Sequence, residues 1–330
     1  NEKVELANEP QEYFIALNQT SIYAESGGQV GDRGIFKSKN AEGSILDCKK
    51  SGKVFMHLIK LDKGSLKIDD KIEINVNKEK RDKTEAHHSA THLVHAALKR
   101  VLGDHVKQKG SLVDEHKLRF DFSHDESLSD DEISKIEDLV NQEILKNSSV
   151  STKIMDLEDA KNSGAESLFG EKYEDQVRVL SIGEDDFSLE LCGGTHISRT
   201  GDLGILIITS QSSVASGVRR IEALSGPRAQ EYLANLKNQT IQLQKLLNAP
   251  AEEIKEKVSK LLKENKKLKK GGKTAKATII KSSNAHDIDN FKLVIEEAES
   301  DDIKELRPIL DEKIKNLNNS MFILLSSKNE

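Results

Sequence analysis

The chain lacks tryptophan, holds only two cysteines in 330 residues, and draws 4% of its composition from aromatics. Two cysteines, Cys48 and Cys192, exclude a disulfide framework and fit a reducing cytosol. No run of about 18 apolar residues occurs and no signal peptide is visible, which excludes a helical membrane span read from sequence. A net charge of −6 argues against a general nucleic-acid-coating protein, so any RNA contact must use a local basic patch. What is abundant is charge, at 32% of residues, and this suits a soluble chain with long charged helices. The length allows two or three domains with a sizeable core.

The most informative stretch runs from Thr84 to Leu102 and reads as one helix, with Asp82 and Glu85 as a capping pair and Gly103 as the stop. His88 and His92 stand four apart, so both rings project from one face, one turn above the other. About a hundred residues later comes Cys192-Gly-Gly-Thr-His196, where a thiolate and an imidazole flank two glycines that let the backbone approach a ligand closely. Either motif alone is more often a solvated or hydrogen-bonded side chain than a metal ligand. Together they make a donor set suited to tetrahedral zinc. His95 shares the stripe of His88 and His92, so geometry leaves it open as a ligand, whereas His87 points about 100° away.

Taken in order, residues 1–80 are β-rich. Short alternating runs at Tyr13–Leu17, Val54–Ile59 and Lys71–Val76 lie between Gly, Asn, Asp and Lys, and a small β-barrel is expected. Within it, Thr20 to Gly34 is a glycine-rich loop without the spacing or the Lys-Ser/Thr pair of a nucleotide phosphate loop. It reads as a turn or as a backbone surface shaped for a ligand or RNA. Residues 81–225 read as an α+β layer, one sheet with helices on one side. Strands are expected near 106–109, 118–122, 150–155, 177–182, 189–191, 204–209 and 218–224, and a capping box at Ser129–Glu132 opens a helix. From 226 to 270, heptad-like leucines on both sides of Asn248-Ala-Pro250 predict a helical hairpin or coiled coil with Asn265 on its seam. The lysine-rich second helix, Lys255 to Lys276, reads as a solvated face balanced by glutamates in preference to an RNA contact. Gly271-Gly272 reads as a linker. Residues 271–330 form a partial α/β module with strands near 277–281, 291–295 and 321–325, and a helix through Ile303 and Leu317 that Pro308 should kink or shorten. The start at Asn1 and a last strand close to the end predict a fragment of a longer protein.

His88-Ser-Ala-Thr-His92, Gln108-Lys-Gly-Ser111, Leu118 to His124, Leu191-Cys-Gly-Gly-Thr-His196 and Gly217 to Ala223 together resemble bacterial alanyl-tRNA synthetase, in its editing domain and the region after it. Tyr23-Ala-Glu25 and Ser26-Gly-Gly-Gln29 belong to the same pattern. The resemblance covers the whole chain and is sharpest before residue 225. It is also similar to AlaX-type trans-editing proteins, which share the histidine and cysteine motifs. The resemblance implies zinc held by His88, His92, Cys192 and His196. Thr91 would be a hydrogen-bond partner for a seryl side chain, with Gln108 and Ser111 lining the same cleft.

The resemblance further implies hydrolysis of tRNA(Ala) mischarged with Ser or Gly in the cytoplasm. The parent enzyme would attach alanine to tRNA(Ala) using ATP, by a domain upstream of this sequence, and the full-length protein is a candidate homo-oligomer through its C-terminal region. The competing readings are a free-standing trans-editing hydrolase and a non-catalytic, zinc-stabilised tRNA-binding module.

Overall fold

The computed structural model describes residues 5–167, 173–271, 278–282, 286–288, 291–299, 303–315 and 320–327. The chain forms two compact units, Asn1–Lys237 and Asn238–Glu330.

The first unit opens with β1 (Leu6–Ala7), β2 (Glu12–Ala16), β3 (Gly34–Ser38), β4 (Ala41–Ser51), β5 (Val54–Gly64), β6 (Leu66–Lys67) and β7 (Ile72–Val76). Five of these form an antiparallel sheet in the order β2-β5-β4-β3-β7, and β1 with β6 forms a separate ribbon. The sheet is open, so the expected barrel does not close. Closure needs β2 and β7 to pair. Instead the chain leaves β2 after Ala16 to form the glycine loop, and β7 ends at Val76, directly before the Asn77 cap of a helix. Phe36, Ile45, Ile59 and Leu61 fill one side of the sheet. The strands β3 and β4 went unrecognised in the sequence because Gly34, Gly43 and Asp47 interrupt their alternation.

That helix, α1 (Lys78–Leu102), starts a turn and a half earlier than its sequence signals suggest. Asn77 is the N-cap, its side chain accepting from the Lys80 N–H, and Gly103 ends the helix as expected. Asp82 is not a cap; it pairs with Lys78 one turn back, as Glu79 does with Lys83. From Ala86 to Leu98 the helix is buried on nearly every side, which is why His87 is covered as fully as the histidines of the predicted stripe.

The rest of the unit holds β8 (Gln108–Val113), β9 (Leu118–Ser123), α2 (Asp130–Lys146), β10 (Ser151–Asp156), α3 (Leu157–Asn162), β11 (Gln176–Ile182), β12 (Ser188–Leu191), β13 (Leu206–Ala215), β14 (Val218–Ser225) and the start of α4 (Gly226–Leu247). The capping box at Ser129 and Glu132 is formed in full. The single sheet expected here is two: β13-β14-β9-β8 and β10-β11-β12. Both contribute to one core with α1 and α2, built around Leu93, Leu98, Phe120, Ile136 and Ile182. The glycine loop joins this core to the first sheet. The Val30 N–H donates to the Val113 carbonyl, and the Val113 N–H donates to that of Gly28. Gly28 has a φ of 85° and lies so close to Ser111 that a Cβ would fall 2.6 Å from its carbonyl oxygen, so only glycine fits.

In the second unit, the end of α4 leads through Asn248, at φ 47°, to α5 (Ile254–Gly271). The predicted helices form, with Leu243 and Leu261 44% and 47% exposed. Beyond them β15 (Thr278–Ser282), β16 (His286–Ile288), β17 (Phe291–Glu299), α6 (Ile303–Ile314) and β18 (Ser320–Ser327) complete the unit. β15 and β16 both pair antiparallel with β17, and β18 runs parallel to it after the α6 crossover. The helix α6 passes through Pro308 and does not stop before it. Gly272, Lys276, Ala277 and Leu317 lie outside the described residues.

Candidate metal centre and cleft

One helix and one loop supply the centre. His88 and His92 project from the buried middle of α1, and Cys192 follows β12 into the Gly193-Gly194-Thr195-His196 turn. One ligand atom from each of His88, His92, Cys192 and His196 lies within 4.8 Å of all the others. The Cys192 Sγ stands 3.2 Å from His196 Nε2 and 3.6 Å from His88 Nε2. His95 is outside this group.

Each ring is held by its other nitrogen. His88 Nδ1 lies 2.6 Å from Gln29 Oε1, which also accepts from the Thr195 N–H at 3.0 Å. His92 Nδ1 lies 2.8 Å from Glu190 Oε2, and His95 Nδ1 lies 3.1 Å from Glu190 Oε1. His196 Nδ1 lies 3.1 Å from Ser89 Oγ. An amide oxygen and a carboxylate can only accept, so His88 and His92 keep their protons on Nδ1 and turn Nε2 inward. This is how metal-binding histidines are commonly oriented. The loop is braced by Arg178, whose Nη1 donates to the carbonyls of Cys192 and Gly194 at 3.1 and 2.6 Å.

The four donor side chains and Glu190 are strongly coupled electrostatically. Burial pushes the Cys192 thiol up, but the charges of His88 and His92 outweigh it and hold the group well below the thiol range. Burial opposes charge on His92, yet the Glu190 carboxylate and Cys192 raise it to about 10. Glu190 is likewise held far below the carboxylate range: burial opposes this, and His92 and His95 overcome it. His196 is lowered to about 3 by burial first and by His88 second. Among the described residues, His92 Nε2 is buried without a hydrogen-bond partner, and a divalent cation held there would satisfy it. Three imidazoles and one thiolate within this span therefore fit a four-coordinate zinc.

The centre lies on the wall of a cleft of about 860 Å³ within the first unit. Thr91, Gln108 and Ser111 line the same cleft, as do His88, His92 and Cys192. The Thr91 hydroxyl donates to the His87 carbonyl at 2.8 Å, so its lone pairs remain for a donor from the cleft. His87 turns away, its Nδ1 2.8 Å from the Asp114 carbonyl oxygen. Sequence reasoning assigned no role to Gln29, Glu190 or Ser89, the three groups that orient ligand rings. Glu190 carried a usable signal: two positions before Cys192 on a strand, it shares that residue's face. Gln29 carried only its place in the glycine loop.

A family profile described as tRNA synthetases class II (A) matches residues 1–80. A second, described as threonyl and alanyl tRNA synthetase second additional domain, matches residues 177–222, which include Cys192 and His196. Alanine–tRNA ligase of Saccharophagus degradans is 45% identical over 335 aligned positions, and that of Pseudomonas fluorescens is 44% identical. Both alignments take in 100% of this chain, and the chain spans 38% of the length of each relative. Along its whole length, this chain belongs to the alanine–tRNA ligase family.

Proposed function

We propose that this chain is the editing part of an alanine–tRNA ligase, hydrolysing the ester of tRNA(Ala) mischarged with serine or glycine. The carrying observation is a His3Cys donor set on the wall of a cleft that Thr91, Gln108 and Ser111 also line. An enzyme that selects alanine cannot exclude the smaller glycine by size, and it rejects serine weakly, because serine only adds a hydroxyl. A second site must remove those products.

His88, His92, Cys192 and His196 would hold zinc, which would act as a Lewis acid where one of the four ligands loosens or the ion gains a fifth. The other residues orient and discriminate. Gln29, Glu190 and Ser89 aim the rings, and Arg178 fixes the loop that carries Cys192 and His196. Thr91 has already donated its hydroxyl hydrogen, so it accepts one from a seryl side chain. An alanyl ester offers no such donor and leaves the buried oxygen unmatched, which disfavours it against the seryl ester; a glycyl ester offers none either, so Thr91 selects for serine alone. Gln108 and Ser111 are read as polar contacts to the same substrate. The full-length protein would attach alanine to tRNA(Ala) with ATP in the cytoplasm, with the α4 and α5 stripes paired as a coiled coil.

The test is deacylation of Ser-tRNA(Ala) by the purified chain, with Ala-tRNA(Ala) as control and Cys192→Ala alongside, and bound zinc measured on each sample. Hydrolysis of the seryl ester alone, lost in Cys192→Ala, supports the reading. A folded, zinc-loaded chain that binds tRNA and leaves both esters intact favours a structural metal.

A further inference from the structure

The cleft is larger than an aminoacyl group requires. Its volume of about 860 Å³ is near the top of the roughly 300–1,000 Å³ that small-ligand sites occupy. If the preceding reading holds, a terminal nucleoside must enter with the ester. One wall has the chemistry for it. The strands β4 and β5 form a hairpin closed by Gly52 and Lys53, with Gly52 at φ 61° and Ser51 paired to Val54. Lys50 and Phe55 are directly opposite across the ladder, on one face of it, and both line the cleft. Phe55 is 37% exposed, a large ring with an uncovered side. The Lys50 ammonium lies 6.0 Å from that ring's centroid and, among the described residues, has no carboxylate within ion-pairing distance. The other two cations lining the cleft are engaged, Arg81 by Asp32 and Arg178 by the carbonyls of Cys192 and Gly194. Lys53 adds a second positive group to the tip beside Lys50, whereas Lys49 is ion-paired with Glu25 and Asp47.

We propose that this hairpin tip is the nucleotide-holding wall of the cleft: the Phe55 ring stacks on an unpaired base at the 3′ end of the tRNA ester, and Lys50 pairs with the adjacent phosphate. An aromatic face with a flanking lysine is the usual platform for single-stranded RNA, and it tolerates any base because every base has a flat face. The ester then projects from the stacked nucleoside toward His88, His92 and Cys192 on the same cleft.

The experiment compares Phe55→Ala, Phe55→Tyr, Lys50→Gln and Val54→Ala with the unaltered chain. It reads kcat and KM for Ser-tRNA(Ala), and the affinity for a short single-stranded RNA ending in the tRNA 3′ sequence. Phe55→Ala should raise KM and weaken RNA binding about tenfold while kcat stays within about twofold, and Phe55→Tyr should restore both. Lys50→Gln should lower the salt slope of RNA binding by about 0.7. Val54, on the hairpin's other face, should be neutral when replaced. An unchanged KM and RNA affinity in Phe55→Ala, or an equal loss in Val54→Ala, overturns the assignment. If the unaltered chain fails to hydrolyse the seryl ester, the editing reading fails, and the RNA-binding series still decides the role of the hairpin.

Discussion

The two glycines of the Cys192–His196 turn should behave oppositely when replaced by alanine. A Cβ at Gly194 would fall under 3.0 Å from Cε1 and Nδ1 of the His88 ring, and 2.8 Å from Gln29 Oε1. A Cβ at Gly193 would meet nothing within 4 Å, and Gly193 has no positive φ to strain. Ordinary carbon contacts are about 3.5–4.0 Å. The His88 ring or the loop must therefore retreat by at least about 0.5 Å. Metal–ligand distances tolerate only about ±0.2 Å. Moving the ring also breaks its bond to Gln29, and moving the loop displaces Cys192 and His196. Either response removes a ligand, so Gly194→Ala should lose zinc affinity by about 100-fold or more, beyond the 10–100-fold typical of outer-shell changes. Gly193→Ala should bind zinc as the parent does, with stability within about 0.5 kcal/mol. Chelator competition on the two variants, with thermal unfolding before and after metal removal, measures this. Parental zinc affinity in Gly194→Ala, or equal loss in both variants, would refute the account of the turn.

Three further outcomes are expected. Glu190→Gln leaves one amide oxygen to serve both His92 and His95, so zinc affinity in a chelator competition should drop about 10–100-fold. Thr91→Val removes the acceptor and the bond to His87; hydrolysis of the seryl ester should fall at least about tenfold, the seryl-over-alanyl preference should shrink, and stability measured in urea should decrease by about 1 kcal/mol. Burial first, then Asp47 and Asp32, push the Cys48 thiol up to about 11, so the folded chain holds this proton more tightly than the unfolded one. Its contribution to stability is complete below about pH 8.5 and is lost as pH rises toward 11. Urea unfolding from pH 7.5 to 10.5 should therefore show a steeper alkaline decline in the parent than in Cys48→Ala.

The sequence by itself determined the parts of this protein whose geometry is local. A helix turn puts His88 and His92 on one face, the capping box at Ser129 starts α2, and Gly103 stops α1, because each depends on residues no more than one turn apart. The two halves of the candidate donor set were legible for the same reason: a pair on a helix and a Cys-x-x-x-His on a glycine turn each carry their own spacing. Tertiary structure decided everything that required distant residues to meet. His88 finds Gln29 across 59 positions, and His92 finds Glu190 across 98. Nothing in the spacing of the histidines separates His95 from the donors. The fold does so, setting the His95 ring against Phe120 and outside the donor group, and turning His87 to the Asp114 carbonyl. The open edge of the first sheet and the division of the core into two sheets have the same origin. Alternation reveals a strand's faces, while its neighbours follow from how the whole chain buries its apolar surface.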